Sequence, residues 1–245
     1  VKAALRPAAF LAVGLALLGF GCDRDSKREA EREALQKREP VESGNLNQAM
    51  GASERIVPSL PTPQDRFLMA VRQGNQKEAA RWLEQGAGVG DAPVLVAAVR
   101  GQGDLGFVEW LVERGAGVDV PDDAGRTPLS WAAGEGAEEL VDYLLAKGAD
   151  VKSTDRLGRT PLHFGVFSGD DAVVKRLLGA SAAVDAQDSL GGTPLMYACS
   201  KNEAQIVQTL LQGGADPSLK DNLGRTAEDR GHGEANPCIV SSSKD

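Results

Sequence analysis

Gly125-Arg126-Thr127-Pro128-Leu129 returns as Gly158-Arg159-Thr160-Pro161-Leu162, then as Gly192-Thr193-Pro194-Leu195, and once more as Gly224-Arg225-Thr226-Ala227. The four threonines stand 33 residues apart. Two further series keep the same step. One is Gly115-Ala116, Gly148-Ala149 and Gly214-Ala215, with Ser181-Ala182 in the gap; the other is Asp122, Asp155, Asp188 and Asp221. Three landmarks sharing one period mark a chain built from copies of one supersecondary unit, each burying its apolar face against the next.

Most of these landmarks have a physical task. A threonine before a helix caps it with its side-chain oxygen, and a proline at the first helical position loses only an N–H that has no partner anyway. Leu129, Leu162 and Leu195 then point inward, followed by small pairs (Ala132-Ala133, Gly165-Val166, Ala198-Cys199) that let helices approach. Gly136, Gly169 and Asn202 separate this helix from a second, since all tolerate left-handed geometry. The second helix carries Val141-x-x-Leu144-Leu145, Val174-x-x-Leu177-Leu178 and Val207-x-x-Leu210-Leu211, an i, i+3, i+4 stripe. Glu138, Glu139, Asp142, Lys175 and Gln208 fall on its solvated side. Gly115, Gly148 and Gly214 supply the helix stop. The stretch from that stop to the next threonine reads as a projecting turn, with Gly125, Gly158, Gly191 and Gly224 permitting positive φ.

The pattern resembles the ankyrin repeat family over roughly residues 64–231. The resemblance implies an all-α repeat solenoid of ankyrin-type helix-turn-helix repeats with projecting β-turn hairpins. Two earlier copies are degenerate. Asp65–Ala87 keeps Leu68, Ala70, Val71, Gly74, Trp82 and Leu83; Asp91–Ala116 keeps Pro93, Leu95, Ala97, Ala98, Val108 and Leu111, with Ala92 in place of the capping threonine. From Gly86 to Gly115 is 29 residues, so this hairpin is cut down, and two extra residues sit between the helices of the same copy. Five repeats plus a partial cap follow, spanning residues 63–231 and leaving 232–245 as a disordered tail.

The first part of the chain reads differently. Lys2 and Arg6 precede an uncharged run, Ala8 to Leu18, too short to span a bilayer comfortably. This is the layout of a secretory signal, assigned to residues 1–21. Leu18-Gly19-Phe20-Gly21-Cys22 resembles a bacterial lipoprotein cleavage site, although Gly19 stands where that family usually has Leu and Phe20 is bulky for its place. The resemblance implies lipidation at Cys22 and a membrane-anchored protein of the bacterial cell envelope facing the periplasm. Asp23 resembles an inner-membrane retention signal used in some bacteria, which leaves inner and outer membrane both open. Residues 22–62 form the anchor and a tether: acids and bases alternate from Asp23 to Glu39 with no apolar face, and Pro- and Gly-containing polar sequence follows. Random-coil scaling gives the tether a reach of about 35 Å.

Composition narrows the function. The chain has 245 residues, 42% hydrophobic and 4% aromatic, so a Leu, Val and Ala core in thin helical layers is expected. A net charge of −8 argues against general binding to nucleic-acid backbones. Three cysteines and two distant histidines, His163 and His232, give no metal-ligand spacing and no nucleophile–base pair. No cofactor, metal, small-molecule substrate or catalytic residue is implied. Gly101-x-Gly103-x-x-Gly106 matches a dinucleotide fingerprint in letters only, since that chemistry needs a strand before it. Trp82, Trp110 and Trp131 read as packing residues. His163 follows Thr160-Pro161-Leu162, where the ankyrin resemblance implies a His that braces the turn. Cys199 occupies a small buried helix position; whether it pairs with Cys238 is not fixed by the sequence.

In the ankyrin family the turns and first helices line a concave face that binds other proteins. That resemblance places the binding residues at Arg126 and Glu135 in the third repeat, and at Arg156, Leu157, Arg159, Phe167 and Ser168 in the fourth. Leu190 and Lys201 follow in the fifth, Leu223 and Arg225 in the cap. Ala124, Ser189, Gly192, Ser200 and Asn222 share these positions. Arg126, Arg159 and Arg225 hold one place in three turns. They read either as a basic ladder for an acidic, partly apolar partner or as solvated turn residues. The expected function is a non-catalytic, membrane-tethered protein-binding module. A regulator or accessory subunit of an envelope enzyme is the alternative, and a free-standing enzyme lacks any catalytic constellation to support it.

Overall fold

The computed structural model describes residues 61–90, 93–101, 104–231 and Cys238. The signal segment, Cys22, the tether up to residue 60 and the tail apart from Cys238 lie outside the described residues. Among the described residues there are eleven helices and no strand. They form five pairs: α1 (Pro63–Arg72) with α2 (Gln76–Glu84), α3 (Val94–Val99) with α4 (Leu105–Glu113), and α5 (Pro128–Gly134) with α6 (Glu138–Ala146). Then come α7 (Pro161–Ser168) with α8 (Asp171–Gly179) and α9 (Pro194–Lys201) with α10 (Ala204–Gln212), and a short α11 (Ala227–Arg230) closes the series. First helices pack on first helices in the order α1, α3, α5, α7, α9, α11, and α6, α8 and α10 stack behind them. None of the helices described is long and apolar enough to cross a membrane.

One apolar core runs through the stack. Leu129, Leu162 and Leu195 have at most 1% exposure, and Val141, Val174, Val207, Leu144, Leu177 and Leu210 line the second helices. The helix boundaries follow the landmarks. The Thr127 and Thr193 hydroxyls accept from Ser130 N–H and Met196 N–H, each followed by proline in the first turn. Gly136, Gly169 and Asn202 take φ of 69°, 79° and 59°, and Ser181 takes φ 65° at the stop where its counterparts are glycines.

Two N-terminal details depart from the sequence pattern. The first repeat begins with a cap at Thr62, not with Asp65: Asp65 N–H donates to the Thr62 hydroxyl at 3.1 Å, and the Asp65 carboxylate accepts from Thr62 N–H at 2.9 Å. The first helix α1 is 10 residues long, against 7 or 8 in α5, α7 and α9. In the second repeat α3 is six residues long, all of them buried, with Pro93 at the cap and no side-chain cap bond. Gly101 ends it against the carbonyl of Arg72, where any Cβ would collide. Gly106 lies inside α4, which Asp104 caps at 2.8 Å through Phe107 N–H, so the glycine-rich stretch joins two helices rather than a strand to a helix.

Candidate protein-binding face

The face of interest is built from four turns and the helices behind them. Each turn starts at an aspartate. Gly125, Gly158, Gly191 and Gly224 N–H groups donate to the carbonyls of Asp122, Asp155, Asp188 and Asp221 at 2.8 to 2.9 Å, closing tight turns. At Gly191 the requirement for glycine is double: φ is 73°, and a Cβ would lie 2.8 Å from Asn222 N. Successive turns are joined by single backbone bonds. Arg156 N–H donates to Ala124 O, Ser189 N–H to Leu157 O, and Asn222 N–H to Leu190 O, at 2.8 to 3.0 Å.

The aspartate carboxylates knot each turn in one way. Oδ1 of Asp122 accepts from the N–H groups of Ala124 and Arg126; Asp155 takes Leu157 and Arg159, Asp188 takes Leu190 and Gly192, and Asp221 takes Leu223 and Arg225. Oδ2 takes its partners from two places, and at Asp122 and Asp221 from both. Arg126, Arg159 and Arg225, just before the capping threonines, pair with Asp122, Asp155 and Asp221 at 3.2, 2.6 and 2.9 Å. Four residues after Thr127, Thr193 and Thr226, Trp131 Nε1 donates to Asp122 at 3.0 Å, Tyr197 Oη to Asp188 at 2.5 Å, and Arg230 to Asp221 at 2.7 Å. In the fifth repeat Gly192 stands where the others have arginine, and a Cβ there would lie 2.8 Å from the Tyr197 ring. The tyrosine therefore occupies the arginine's place.

Electrostatics follow from these contacts. Burial alone would raise the Asp155 carboxyl, but Arg159 and the two backbone N–H groups outweigh it and hold it below the usual range. Asp122 is lowered against the same opposition from burial by Arg126 N–H, the Trp131 indole and Ala124 N–H. For Asp221 burial is likewise overcome, by Arg225 N–H, Arg230 and the Arg225 side chain, and its carboxyl is held far below the carboxylate range.

His163 ties one repeat to the next. Its Nδ1 accepts from Thr160 N–H at 3.1 Å and lies 3.0 Å from the Thr160 hydroxyl, so Nε2 carries the hydrogen and donates to Gly192 O at 3.1 Å. The ring is fully buried, and burial lowers its pKa against the opposing pull of the Gly192 bond and Asp188. The bracing role that the family resemblance implies matches this geometry.

The expected binding residues divide accordingly. Arg126, Arg159 and Arg225 are ion-paired within their own turns, and Arg126 and Arg159 also lie over the Trp131 and Phe164 rings at 3.8 and 4.9 Å. Lys201 donates to the α7 carbonyls of Phe167 and Val166 at 2.8 and 3.3 Å, and the Ser168 hydroxyl to Gly165 O at 2.7 Å. Phe167 is half-buried, edge-on to Phe164 and Tyr197. Glu135 and Arg156 are exposed. Leu157, Leu190 and Leu223 are 52%, 63% and 75% exposed, one at the same point of each of three consecutive turns. The column Trp131, Phe164, Tyr197, Arg230 is not evident from the motifs, although its members keep the 33-residue step, each nine residues after a turn aspartate.

Comparison with known proteins agrees with this architecture. The family model described as ankyrin repeats (3 copies) matches residues 67–155 and again residues 139–221. No curated protein matches the chain.

Proposed function

Since the chain belongs to the ankyrin repeat family, a family of protein–protein interaction modules, we propose that it binds a protein partner through its turn tips, centred on Leu157, Leu190 and Leu223. Ankyrin repeat proteins are generally non-catalytic, and no group of three or more His, Cys, Asp or Glu residues placed to hold a metal occurs among the described residues. The observation that carries the proposal is the repetition of an exposed leucine at one turn position in three adjoining repeats. Single exposed apolar residues are ordinary; three in register on turns knotted by aspartates are a preformed apolar row. Because the turns are fixed before any partner arrives, little ordering entropy is lost on binding.

The charge of the face sits beside this row rather than in it. With Arg126, Arg159 and Arg225 neutralised by Asp122, Asp155 and Asp221, the ladder of free guanidinium groups gives way to a mixed rim in which Arg156 and Glu135 are exposed. Phe167, Ser168 and Lys201 stand at the ends of the first helices α7 and α9. The partner therefore carries an apolar surface with a mixed polar rim.

A photo-crosslinking residue placed at Leu190, compared in cells with one at Glu139 on the second-helix side, tests the site. A discrete partner adduct from position 190, absent from 139 and lost when Leu157 and Leu223 are both changed to Ser, is the expected result. Equal adducts from both positions exclude the turn face.

The proposal extends to location. The apolar run at Ala8 to Leu18 and the Cys22 motif support export and lipid tethering to a bacterial membrane on the periplasmic side. Labelled palmitate incorporated by the wild type and not by Cys22→Ser is the expected outcome, and unlabelled wild type refutes the anchor.

A further inference from the structure

Cys199 and Cys238 form a disulfide with Cα atoms 5.8 Å apart. Cys199 has no exposure and Cys238 has 4%. The pair lies outside the repeat logic: the positions equivalent to Cys199 hold Ala133 and Val166, and Cys238 lies beyond the repeats. The bond encloses α10, the turn at Asp221–Arg225 and α11.

Within that loop α11 is the weak element. Four residues are far fewer than a helix needs to hold itself in water. It is kept in place by packing on α9, by the Thr226–Asp229 capping box and by Arg230, which donates to Asp221 and lies over Tyr197 at 5.2 Å. Asp221 in turn knots the turn that displays Leu223. A continuous set of contacts therefore runs from the disulfide to the third exposed leucine.

We infer that Cys199–Cys238 is an oxidative modification site that locks α11 onto α9 and thereby fixes the Leu223 turn. The co-reactant is a thiol–disulfide oxidant. The thiolate of one cysteine attacks a sulfur of the donor disulfide and expels one donor thiol. The second cysteine's thiolate then attacks the protein sulfur of the mixed disulfide and expels the other. The two cysteines lose two protons and two electrons, and the donor R–S–S–R leaves as two RSH. Both sulfurs are buried once the cap is closed, so exchange takes place with the cap open, and closure then shields the bond from reductants. Such bonds persist in oxidising compartments and are rare in the cytosol. The lock is independent of the partner reading and of lipidation at Cys22.

The test uses the full chain with Cys22→Ser, so that only these two thiols report. It is equilibrated with oxidised and reduced glutathione, alkylated and mapped by mass spectrometry, with amide exchange followed in parallel. In the oxidising mixture the expected results are a Cys199–Cys238 cross-linked peptide and exchange over residues 221–230 slower by about tenfold than after reduction with dithiothreitol, with α5 to α7 unchanged. Cys238→Ala in the oxidising mixture reproduces the exchange of the reduced wild type. Alkylation of both thiols in the oxidised, folded protein overturns the inference. So does identical exchange over 221–230 in both states, and so does loss of protection across α5 to α7 on reduction, which would make the bond a global rather than a local tie.

Discussion

The first two repeats and the three that follow solve one packing problem by different means. From α5 to α10 order comes from small recurring devices: a capping threonine, a proline in the first turn, an aspartate knot in each turn, a backbone bond between turns. In α1 to α4 they are thinner: α1 keeps the Thr62 cap and Pro63, but α3 has Pro93 at its cap in place of a threonine. The turn before α3 is cut short, α3 has no side-chain cap, and an open cleft of about 410 Å³ lined by Leu68, Arg72, Val96, Arg100 and Asp122 lies on that side. Bulk takes their place. Phe67 and Phe107 are buried, and Trp82 and Trp110 pack against the core, whereas in the later repeats the aromatic residues Trp131, Phe164 and Tyr197 lie toward the turns, against Arg126, Arg159 and Asp188. A repeat unit can thus lose its local signals and keep its fold if apolar volume makes up the difference, because in a solenoid each unit leans on its neighbours.

Phe67→Ala breaks the comparison most severely. Removing a wholly buried ring from the region that relies on bulk is expected to cost about 3–5 kcal/mol. Urea unfolding followed by amide exchange is expected to show α1 to α4 opening well before α5 to α10. A single transition of unchanged cooperativity would mean that the two regions share one fate.

Next comes the knot. Asp155→Ala removes two backbone acceptor bonds and leaves Arg159 without its counter-ion, and roughly 2–3 kcal/mol is expected, at the level of charged hydrogen bonds. Asp155→Asn keeps an acceptor oxygen and should fall between that variant and wild type. Exposed Asp123→Ala, one residue along the neighbouring turn, should change stability by less than about 0.5 kcal/mol. Thermal melts of the three variants are the measurement.

Acid should act on the later repeats first, since the first two hold no histidine. His163 is neutral in the fold because burial lowers its pKa below the ordinary 6.5. Above pH 6.5 folded and unfolded chains bind no proton there and the contribution is complete. As pH falls from 6.5 towards the folded value, only the unfolded chain takes up the proton, and stability drops by about 1.4 kcal/mol per pH unit. Protonation would also place a hydrogen on Nδ1, facing Thr160 N–H. Urea midpoints at pH 7 and pH 5 should differ more for the wild type than for His163→Gln. Asp155 and Asp221, both lowered, contribute a separate loss only near and below their ordinary value of 3.8.

What the sequence disclosed and what it withheld divide along the same boundary. The helix pairs, the five-plus-cap count and the glycine turns were legible because each rests on a residue whose backbone preference is nearly obligatory. The cap at Thr62 was obscured by Pro61 and Pro63, which read as linker beside Pro58; the same Thr-Pro pair further along was plain because Leu129 followed it. The pairing of the turn arginines was not legible. Arg126, Arg159 and Arg225 look free in a list of residues, and only the turn geometry brings each within reach of an aspartate four residues earlier. The disulfide needed a distance that no spacing supplies.

The smallest effect tests whether a local device can be moved across the boundary. Asn75 caps α2 in the first repeat: its side-chain oxygen accepts from Glu78 N–H at 3.1 Å, with φ −86° and ψ 83°. Ala137 holds the equivalent place before α6, after Gly136 as Asn75 follows Gly74, with φ −82° and ψ 79° and no side-chain cap. The backbone there already has the shape that the asparagine uses, and the space beside Ala137 is open to Asp104 and Leu105. Ala137→Asn is therefore expected to stabilise the protein by roughly 0.5–1 kcal/mol, and Asn75→Ala to destabilise it by a similar amount. Chemical denaturation of the two single variants and the double variant reads the comparison directly. The positions lie two repeats apart, so the effects should add. If Ala137→Asn is neutral while Asn75→Ala is costly, the cap matters only where packing is irregular, and the later repeats are held by their turns and core alone.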